Sequence, residues 1–384
     1  MRVIIAAAGT AGHINPGIAI ANKIKQENVN SKIIFIGTER GIENDLVPRA
    51  GYQLKTIEAY GLSKKISIQN LKNTYKTCIG FKQAKRIIKE FNPDIVIGTG
   101  GYICGAVIWQ ANKLKIPTLL HESNAFPGKA VKILAKKTDK VLVSFKDTIT
   151  KINKGKNVVC TGTPIKIQRI DYSENEKTSI LKKLNLRSDI PLVLIFGGSQ
   201  GAKAINNSIT DIIKEKLNKN YQILLAAGQK QYDEMKETLK EFSIEIDNIN
   251  NIKVVPYIYN MEEIMNISDL IISRSGAMTI TEISNLGKPS ILIPLPNVSH
   301  NHQYYNAKTL EEINAAKIIL NNDLTGKKLN KEINILINDD SKLKIMGQNA
   351  LKNSSENAQG KIYSEIQKLV KNKKQKIIIQ NKIQ

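Results

Sequence analysis

The sequence predicts an α/β protein that contains two doubly wound parallel sheets. Short runs rich in β-branched residues alternate with amphipathic helical segments along the chain, as buried parallel strands and their crossover helices do. A polar, charged segment at residues 173–183 interrupts the pattern, which then starts again. The chain has 384 residues, more than one ordinary hydrophobic core accommodates, so we expect two domains.

The apolar runs predict strands in both halves of the chain. In the first half these are residues 3–8, 32–36, 94–98, 118–121 and 140–144. In the second half they are residues 191–196, 221–226, 252–255, 269–273 and 290–294. Helices are predicted between the strands, including residues 16–25 and 82–91.

These elements predict the domain organisation. We expect an N-terminal domain at 1–164, a second domain at 165–345, a C-terminal helix at 346–372 and a basic tail at 373–384. The helical spacing of the segment at 346–372 would let it pack on either half of the chain, whereas the basic tail is expected to fray. Two such halves facing each other would form a cleft at the carboxyl ends of their strands, where ligands bind.

Composition restricts the class of protein and of partner. With 41% hydrophobic and 24% charged residues, we expect a soluble globular protein, and the glycine-interrupted apolar run at 95–112 predicts strand, loop and helix rather than a membrane span. The net charge of +23 suggests an anionic partner, although a Lys-, Asn- and Ile-rich surface would also explain it. Only 5% of residues are aromatic, which disfavours nucleic acid. Cys78, Cys104 and Cys160 are expected to be reduced, buried thiols of a cytosolic protein.

The first loop, AAAGTAGHINPG at residues 6–17, joins a strand to a helix. Pro16 suits a first helical turn, and small residues at positions 9, 11 and 12 allow a ligand to approach the backbone. The loop is neither a dinucleotide fingerprint nor a phosphate-binding P-loop. An ordinary tight turn and a structural His13 therefore remain open at this point.

Similar polar or glycine-rich loops follow other predicted strands. They are GTGGYICG at 98–105, HESNAFPG at 121–128, LIFGGSQGAKAINNSI at 194–209, RSGAMTITE at 274–282 and SHNHQYYNA at 299–307. Polar side chains at the carboxyl end of a strand, such as His121 and Glu122, often carry function. No Asp-x-Asp occurs and the His300–His302 pair has no carboxylate or thiolate nearby in sequence, so we predict no metal site.

Taken in order, these loops resemble the bacterial cell-wall N-acetylglucosaminyltransferases that make lipid II. The resemblance extends from residue 1 to about 370 and rests on GTAGHINPG, GTGGYICG, LLHESNAFPG, FGGSQGAKAIN, SRSGAMTITEISNLGKPSILIPLP and HQYYNA. It implies a GT-B fold, in which two Rossmann-like domains face an interdomain cleft and a C-terminal helix returns to the N-terminal domain. It also implies metal-independent, inverting transfer of GlcNAc from UDP-GlcNAc to the C4 hydroxyl of MurNAc in undecaprenyl-diphosphate-MurNAc-pentapeptide, without a cofactor.

The resemblance also assigns site residues. It makes His13 the candidate general base and places Thr10, Ala11, Gly12 and Asn124 near the GlcNAc. It assigns the diphosphate to Ser199 and the turn after the strand at 269–273, the uracil to the backbone of Ile258, the ribose to Glu282 and the sugar hydroxyls to Gln303. The donor-binding segment implied by the motif consists of Ala277, Met278, Thr279, Ile280, Thr281 and Glu282.

The sequence departs from the family pattern at three places. In the first loop, Ala7 (or Ala8) and Ala11 replace glycines, and alanine disfavours positive φ. Ser123 replaces a glutamine in the HESN motif. Lys166 stands where an arginine normally meets the donor, and it keeps the charge without the bidentate fork. These changes concern donor binding more than the fold.

The basic stretch 61–91 interleaves lysines with Ile66, Ile68, Leu71, Ile79 and Phe81, a pattern suited to an anionic membrane surface. The family acts as a peripheral protein on the cytoplasmic face of the bacterial cell membrane, in peptidoglycan biosynthesis. A solvated basic helix face is the alternative interpretation.

Two other functions remain open at this stage. One is another GT-B sugar-nucleotide enzyme, such as a glycolipid hexosyltransferase or a UDP-GlcNAc 2-epimerase, although we see no catalytic carboxylates placed for epimerisation. The other is a non-catalytic, basic nucleotide-binding protein, suggested by the net charge of +23.

Overall fold

The chain folds into two compact units. The structure, a computed structural model, describes residues 1–61, 67–152, 157–165, 167–198, 200–249, 251–298, 301–355 and 357–383. One unit comprises Met1–Lys166 together with Ser355–Gln384, and the other comprises Ile167–Ser354. The units divide after Lys166 and after Ser354, whereas the predicted domain boundaries were at 164 and 345.

The first unit is a parallel sheet between helices. Its described strands are β1 (Arg2–Ala7), β2 (Lys32–Gly37), β3 (Gln53–Thr56), β4 (Ile95–Gly100), β5 (Thr118–Glu122), β6 (Lys140–Val143) and β7 (Val158–Cys160). Its described helices are α1 (Ala11–Glu27), α2 (Glu43–Arg49), α3 (Ile68–Phe91), α4 (Ile103–Lys113), α5 (Lys129–Leu134) and α6 (Thr148–Ile152), together with α15 (Ala358–Ile383) from the end of the chain. The strand order is β3-β2-β1-β4-β5-β6-β7. The order therefore reverses between β1 and β4.

The second unit repeats this architecture. Its described strands are β8 (Leu192–Phe196), β9 (Gln222–Ala226), β10 (Ile252–Val255), β11 (Leu270–Ser273), β12 (Ser290–Leu292) and β13 (Ala316–Ile318), in the order β10-β9-β8-β11-β12-β13. Its described helices are α7 (Glu174–Lys183), α8 (Lys203–Lys214), α9 (Gln229–Lys240), α10 (Met261–Ile267), α11 (Ala277–Leu286), α12 (His302–Glu311), α13 (Gly326–Ile337) and α14 (Asp340–Lys352). Here the order reverses between β8 and β11. The predicted α/β class with two doubly wound parallel sheets is confirmed.

The C-terminal helix packs on the first unit. Ile362 and Ile366 of α15 are buried in the same cluster as Ile14, Ile20 and Ile24 of α1. Lys140 and Glu365 form an ion pair at 3.5 Å beside this contact. The predicted helix at 346–372 spans parts of two helices, α14 and α15, and α15 continues through the predicted basic tail to Ile383.

Helix α1 begins five residues earlier than Pro16 suggested. The Thr10 carbonyl accepts the amides of His13 at 3.0 Å and Ile14 at 3.2 Å, and Pro16 lies inside the helix. Burial of Ile14 against the sheet favours this early start, because the first turn then contributes to the core. Ala11 is the first helical residue and does not have a positive φ angle, so its methyl group causes no backbone strain.

The cysteines differ in environment. Cys104 is buried, and burial raises the pKa of its thiol to about 12. Cys160 is half-buried, whereas Cys78 is exposed on α3, so the expectation of three buried thiols was wrong for Cys78. Cys78 precedes the buried residues of α3, which are Gly80, Ala84, Ile87 and Ile88.

Candidate active site

The predicted loops lie at the points where strand order reverses. In the first unit, the GTAGH loop follows β1 and the GTGGY loop follows β4, and these two strands are neighbours. In the second unit, the GGSQG turn follows β8 and the RSGAMT turn follows β11, which are also neighbours. Ligands of open α/β sheets bind outside the carboxyl ends of the strands at such points. Each unit therefore presents its sequence motifs at its own expected ligand position.

His13 lies in the first turn of α1 with one ring nitrogen engaged. Its Nδ1 is 3.1 Å from the Ala8 carbonyl oxygen, which accepts but cannot donate a hydrogen bond. Nδ1 therefore carries the proton, and in the neutral ring Nε2 holds the lone pair. Among the residues that the structure describes, no hydrogen-bond partner of Nε2 is found, and the side chain is half-buried. This is the tautomer that a general base at Nε2 requires.

The GTGGY loop holds His13 in place. Thr99 Oγ1 donates a hydrogen bond to the His13 carbonyl at 2.8 Å. Gly100 has φ +134°, and a Cβ built there would lie 2.2 Å from His13 Cδ2. Only glycine permits both this backbone conformation and this approach of the imidazole ring. The pairing of β1 with β4 thus fixes the position of His13.

The remaining predicted residues of the first loop surround the start of α1. Thr10 is exposed in the N-cap position with an extended backbone, and its side chain makes no capping hydrogen bond. Ala11 and Gly12 are half-buried first-turn residues. Because the first amides of a helix have no intrahelical acceptor, this turn offers N–H groups to an oxygen-rich ligand.

The HESNAFPG loop is organised by Glu122. Its Oε1 accepts the backbone amide of Asn124 at 2.9 Å and the side-chain Nδ2 at 3.0 Å, while its Oε2 accepts the Gly128 amide at 2.9 Å. These bonds hold the Asn124 side chain at the end of β5. His121 is fully buried against the Gly162 carbonyl at 3.0 Å, and burial lowers its pKa to about 4. His121 is thus a neutral histidine with a structural role. Ser123 also has a structural role, since its Oγ lies 3.3 Å from His121 Nδ1.

Glu43 is a buried carboxylate that sequence reasoning missed. Its Oε1 accepts the amide and hydroxyl of Thr38, at 2.9 and 2.7 Å, and its Oε2 accepts the Gly9 amide at 3.0 Å. Burial alone would raise the pKa of Glu43, but these hydrogen bonds outweigh it and the pKa lies below the usual value. A carboxylate 34 residues from Gly9 carries no local sequence signal for this contact.

In the second unit, side-chain hydrogen bonds tie the GGSQG turn and α8 to the first turn of α9. The Gly201 amide donates to the Gly198 carbonyl at 2.9 Å, and Gln231 Nε2 donates to the Gln200 carbonyl at 2.8 Å. Asn206 Nδ2 donates to Gln231 Oε1 at 3.0 Å. The turn leads directly into α8, whose N-terminus favours an anion.

The RSGAMT turn is fixed by α12. Ser275 Oγ donates to the Gln303 carbonyl at 2.8 Å, and Gln303 Oε1 accepts the Leu295 amide at 2.9 Å. Arg274 donates to the carbonyls of Ile293 and Pro294, and burial lowers its pKa. The turn ends at the start of α11, whose first residues are the predicted Ala277, Met278, Thr279, Ile280 and Thr281. Of these, Met278 and Thr279 are the more exposed.

Glu282 lies on the second turn of α11 in an unusual electrostatic environment. Burial, with a smaller contribution from the charge of Glu262, raises its pKa to about 7. Within the described part of the chain, no hydrogen bond or ion pair engages its carboxylate. An ionised carboxylate without such a partner can accept two hydroxyl groups, as a ribose would supply.

The pKa of Glu282 predicts pH-dependent donor binding. If the ionised form binds the ribose, the affinity for UDP-GlcNAc should rise about tenfold between pH 6 and pH 8, because a pKa of about 7 places the ionisation in this interval. Calorimetric titration at a series of pH values measures it, since the diphosphate diester of UDP-GlcNAc does not titrate there. Glu282→Gln should abolish the dependence, and Glu262→Gln should move it to lower pH. An unaltered dependence in Glu282→Gln would contradict the assignment.

Ile258 follows β10 in the segment PYIYN. Its side chain is buried, whereas Tyr257 and Tyr259 on either side are exposed and their rings meet edge to face at 5.0 Å. Its main-chain N–H and C=O have no hydrogen-bond partner among the described residues. Free backbone groups beside a buried side chain suit the edge of a nucleobase.

Some predicted residues lie outside the described ranges. These are Lys166, Ser199, His300 and, in the basic stretch, Ile66. In the described part of the chain, no group of three or more His, Cys, Asp or Glu side chains is arranged to hold a metal ion.

Comparison with family models identifies both units. The model of the glycosyltransferase family 28 N-terminal domain matches residues 3–143, and that of the glycosyltransferase family 28 C-terminal domain matches residues 192–362. The UDP-N-acetylglucosamine–N-acetylmuramyl-(pentapeptide) pyrophosphoryl-undecaprenol N-acetylglucosamine transferase of Thermoanaerobacter sp. (strain X514) is 43% identical over 96% of this chain and 100% of its own length. The protein of that name from Acetivibrio thermocellus is 43% identical over 97% of this chain and 99% of its own.

Solved structures of glycosyltransferases and related enzymes share the fold of this chain. Acinetobacter baumannii MurG matches with a TM-score of 0.75 and 28% identity over 96% of this chain and 99% of that one. A UDP-GlcNAc 2-epimerase from Neisseria meningitidis matches with a TM-score of 0.64 over 96% and 100%, but at 14% identity it shares the fold alone. The fold is GT-B and the protein is a glycosyltransferase. The chain belongs to the family 28 glycosyltransferases, among the pyrophosphoryl-undecaprenol N-acetylglucosamine transferases.

Proposed function

We propose that this enzyme transfers GlcNAc from UDP-GlcNAc to the C4 hydroxyl of MurNAc in undecaprenyl-diphosphate-MurNAc-pentapeptide, converting lipid I to lipid II in peptidoglycan biosynthesis. The relatives at 43% identity carry this donor and acceptor in their names. The observation that carries the chemistry is the hydrogen bond from His13 Nδ1 to the Ala8 carbonyl, which leaves Nε2 able to accept a proton.

His13 acts as the general base of this reaction. Its Nε2 takes the proton from the C4 hydroxyl as that oxygen attacks the anomeric carbon of GlcNAc. The bond from the anomeric carbon to the UDP oxygen breaks on the opposite face, so the α-linked donor gives a β-1,4 product. We assign the first unit to the acceptor. Its loops also contact the GlcNAc that is transferred, through Thr10, Ala11, Gly12 and Asn124.

The second unit binds most of the donor, and Lys166 of the first unit contributes. The helix N-termini of α8 and α11 meet the diphosphate, together with Ser199 and Lys166, and their N–H groups stabilise the charge that develops on the departing UDP. Glu282 accepts the ribose hydroxyls, Ile258 pairs with the uracil edge and Gln303 contacts the sugar. Because N–H groups and basic side chains neutralise the phosphates, we propose that transfer needs no metal ion.

The proposal is tested by acceptor-dependent release of UDP. Wild-type enzyme should release UDP from UDP-GlcNAc when a short-chain lipid I analogue is added, at the same rate with and without EDTA. Release that does not depend on the acceptor would contradict the transferase assignment, whereas loss of the activity in EDTA would contradict metal independence alone.

We further propose that helix α3 binds an anionic membrane surface, where the lipid-linked acceptor resides, on the cytoplasmic face. Ile68, Leu71 and Tyr75 share one face of the helix, and 75%, 67% and 70% of their surfaces are exposed. Lys72 is exposed beside this stripe. Exposed apolar side chains flanked by lysine combine apolar insertion with attraction to anionic lipid. None of the helices in the described ranges has the length and apolar character to cross a membrane.

Replacing Leu71 should weaken membrane binding. Leu71→Gln is expected to lower partitioning onto phosphatidylglycerol-containing vesicles about tenfold, because burying one leucine contributes roughly 1.5–3 kcal/mol. Vesicle co-sedimentation measures it. Val29→Gln is the matched control, since Val29 is 76% exposed elsewhere on the same unit and should leave binding unchanged. Equal binding of wild type to vesicles of phosphatidylcholine alone would contradict the electrostatic part of the proposal.

A further inference from the structure

The carboxylate of Glu43 is enclosed in the first unit. Its side chain has no exposed surface, and a Cβ built on Gly41 would lie 1.9 Å from Oε2. The three hydrogen bonds that it accepts come from two loops, those after β1 and β2. The absence of a side chain at Gly41 thus accommodates a buried, ionised carboxylate in contact with Gly9 of the GTAGH loop.

One peptide group joins Glu43 to His13. The Gly9 N–H donates to Glu43 Oε2 at 3.0 Å, and the carbonyl on the other side of that same peptide bond, Ala8 C=O, accepts from His13 Nδ1 at 3.1 Å. The N–H and C=O of a trans peptide point in opposite directions. Holding the N–H toward Glu43 therefore holds the carbonyl toward His13.

We propose that Glu43 is a positioning residue that fixes the tautomer of His13 through the Ala8–Gly9 peptide group. The inference rests on the proposed role of His13 as the base. An ionised carboxylate at the N–H end increases the negative charge on the carbonyl oxygen, and this strengthens its hydrogen bond with Nδ1–H. That bond also stabilises the imidazolium formed when Nε2 accepts a proton. An acidic partner of a catalytic histidine usually holds the tautomer and stabilises the imidazolium by a direct hydrogen bond. Glu43 has the same effect through one intervening peptide group.

The chemistry of glutamine makes Glu43→Gln a selective test. Glutamine has one acceptor oxygen where glutamate has two, and its NH₂ group can only donate. With the oxygen retained by the two donors of Thr38, the NH₂ group faces the Gly9 N–H, and two donors repel. The peptide can relieve the clash by rotating, which turns its N–H toward His13 and favours the opposite tautomer.

The tautomer is measured directly by ¹H–¹⁵N correlation NMR of the imidazole rings. The chain has four histidines, and the spectrum of His13→Gln assigns the signals of His13. We expect wild type to be protonated at Nδ1 and Glu43→Gln to shift toward protonation at Nε2. Thr38→Val is the matched control, because it removes a donor to the other carboxylate oxygen and leaves the Gly9 bond intact. It should retain the wild-type tautomer.

Kinetics provide a second readout. Glu43→Gln should lower kcat about 10–100-fold with little change in the KM for UDP-GlcNAc, since a misplaced tautomer impairs the base and not donor binding. Glu43→Asp keeps the charge but lengthens the Gly9 bond, and it serves as a second variant if Glu43→Gln does not fold; a mixture of tautomers is expected.

The outcomes separate this inference from the proposed function. A wild-type ring protonated at Nε2, or a wild-type tautomer in both Glu43 variants, would overturn it even if His13 is essential. Conversely, full activity of His13→Gln would refute the base assignment, while the NMR result would still decide whether Glu43 fixes the tautomer.

Discussion

Replacement of His13 by alanine is expected to lower kcat about 10²–10⁴-fold, the usual contribution of a general base. The KM for UDP-GlcNAc should change little, because His13 is proposed to act on the acceptor hydroxyl, whereas the uracil and the ribose of the donor are assigned to Ile258 and Glu282 of the second unit. Transfer of labelled GlcNAc to a lipid I analogue measures both parameters.

The structure supplies the control for this substitution. His13→Gln keeps a donor near the Ala8 carbonyl and a side chain next to Gly100, yet it has no basic nitrogen. Both variants should therefore be equally impaired while binding UDP-GlcNAc as wild type does. Normal transfer by either variant would eliminate His13 as the base.

Replacement of Gly100 by alanine should also have a large effect. The new Cβ would lie 2.2 Å from His13 Cδ2, and φ at this position is +134°, which alanine strongly disfavours. The ring must move, so we expect kcat to fall at least about tenfold. The free energy of unfolding should fall by about 1–3 kcal/mol through backbone strain.

Gly105 offers the matched comparison for Gly100. It lies in α4, only five residues further along the chain, and a Cβ built there meets no atom within 4 Å. Gly105→Ala should leave kcat unchanged and raise the free energy of unfolding by about 0.5–1 kcal/mol, since alanine favours helix. Chemical denaturation and the transfer assay measure the two effects. Equal losses in the two variants would show that Gly100 has no specific relation to His13.

The strands that could be predicted from sequence are the buried ones. Every strand that an apolar run predicted is present, with ends within two residues of the prediction. The strands that were missed, β3, β7 and β13, are short and lie at sheet edges, where half-exposed residues break the apolar pattern. Their sequences carry little signal because only part of each strand faces a core.

For the site, sequence order located the loops but not the contacts within them. Pro16 was taken as the helix start, whereas the Thr10 carbonyl and buried Ile14 begin α1 at Ala11. This change places His13 inside the helix and explains why Ala11 is tolerated. Glu43 could not be identified from sequence, because a carboxylate at a helix start is usually solvated and its contact with Gly9 depends on the fold.

The product formed from UDP-GlcNAc and a short-chain lipid I analogue is the most direct test of the proposed reaction. NMR of the purified product should show a single new disaccharide, with GlcNAc joined through a β bond to the C4 oxygen of MurNAc, and UDP released in equal amount. An α linkage would contradict the inverting attack activated by His13. Conversion of the donor to its 2-epimer, with the acceptor unchanged, would contradict the transferase function itself.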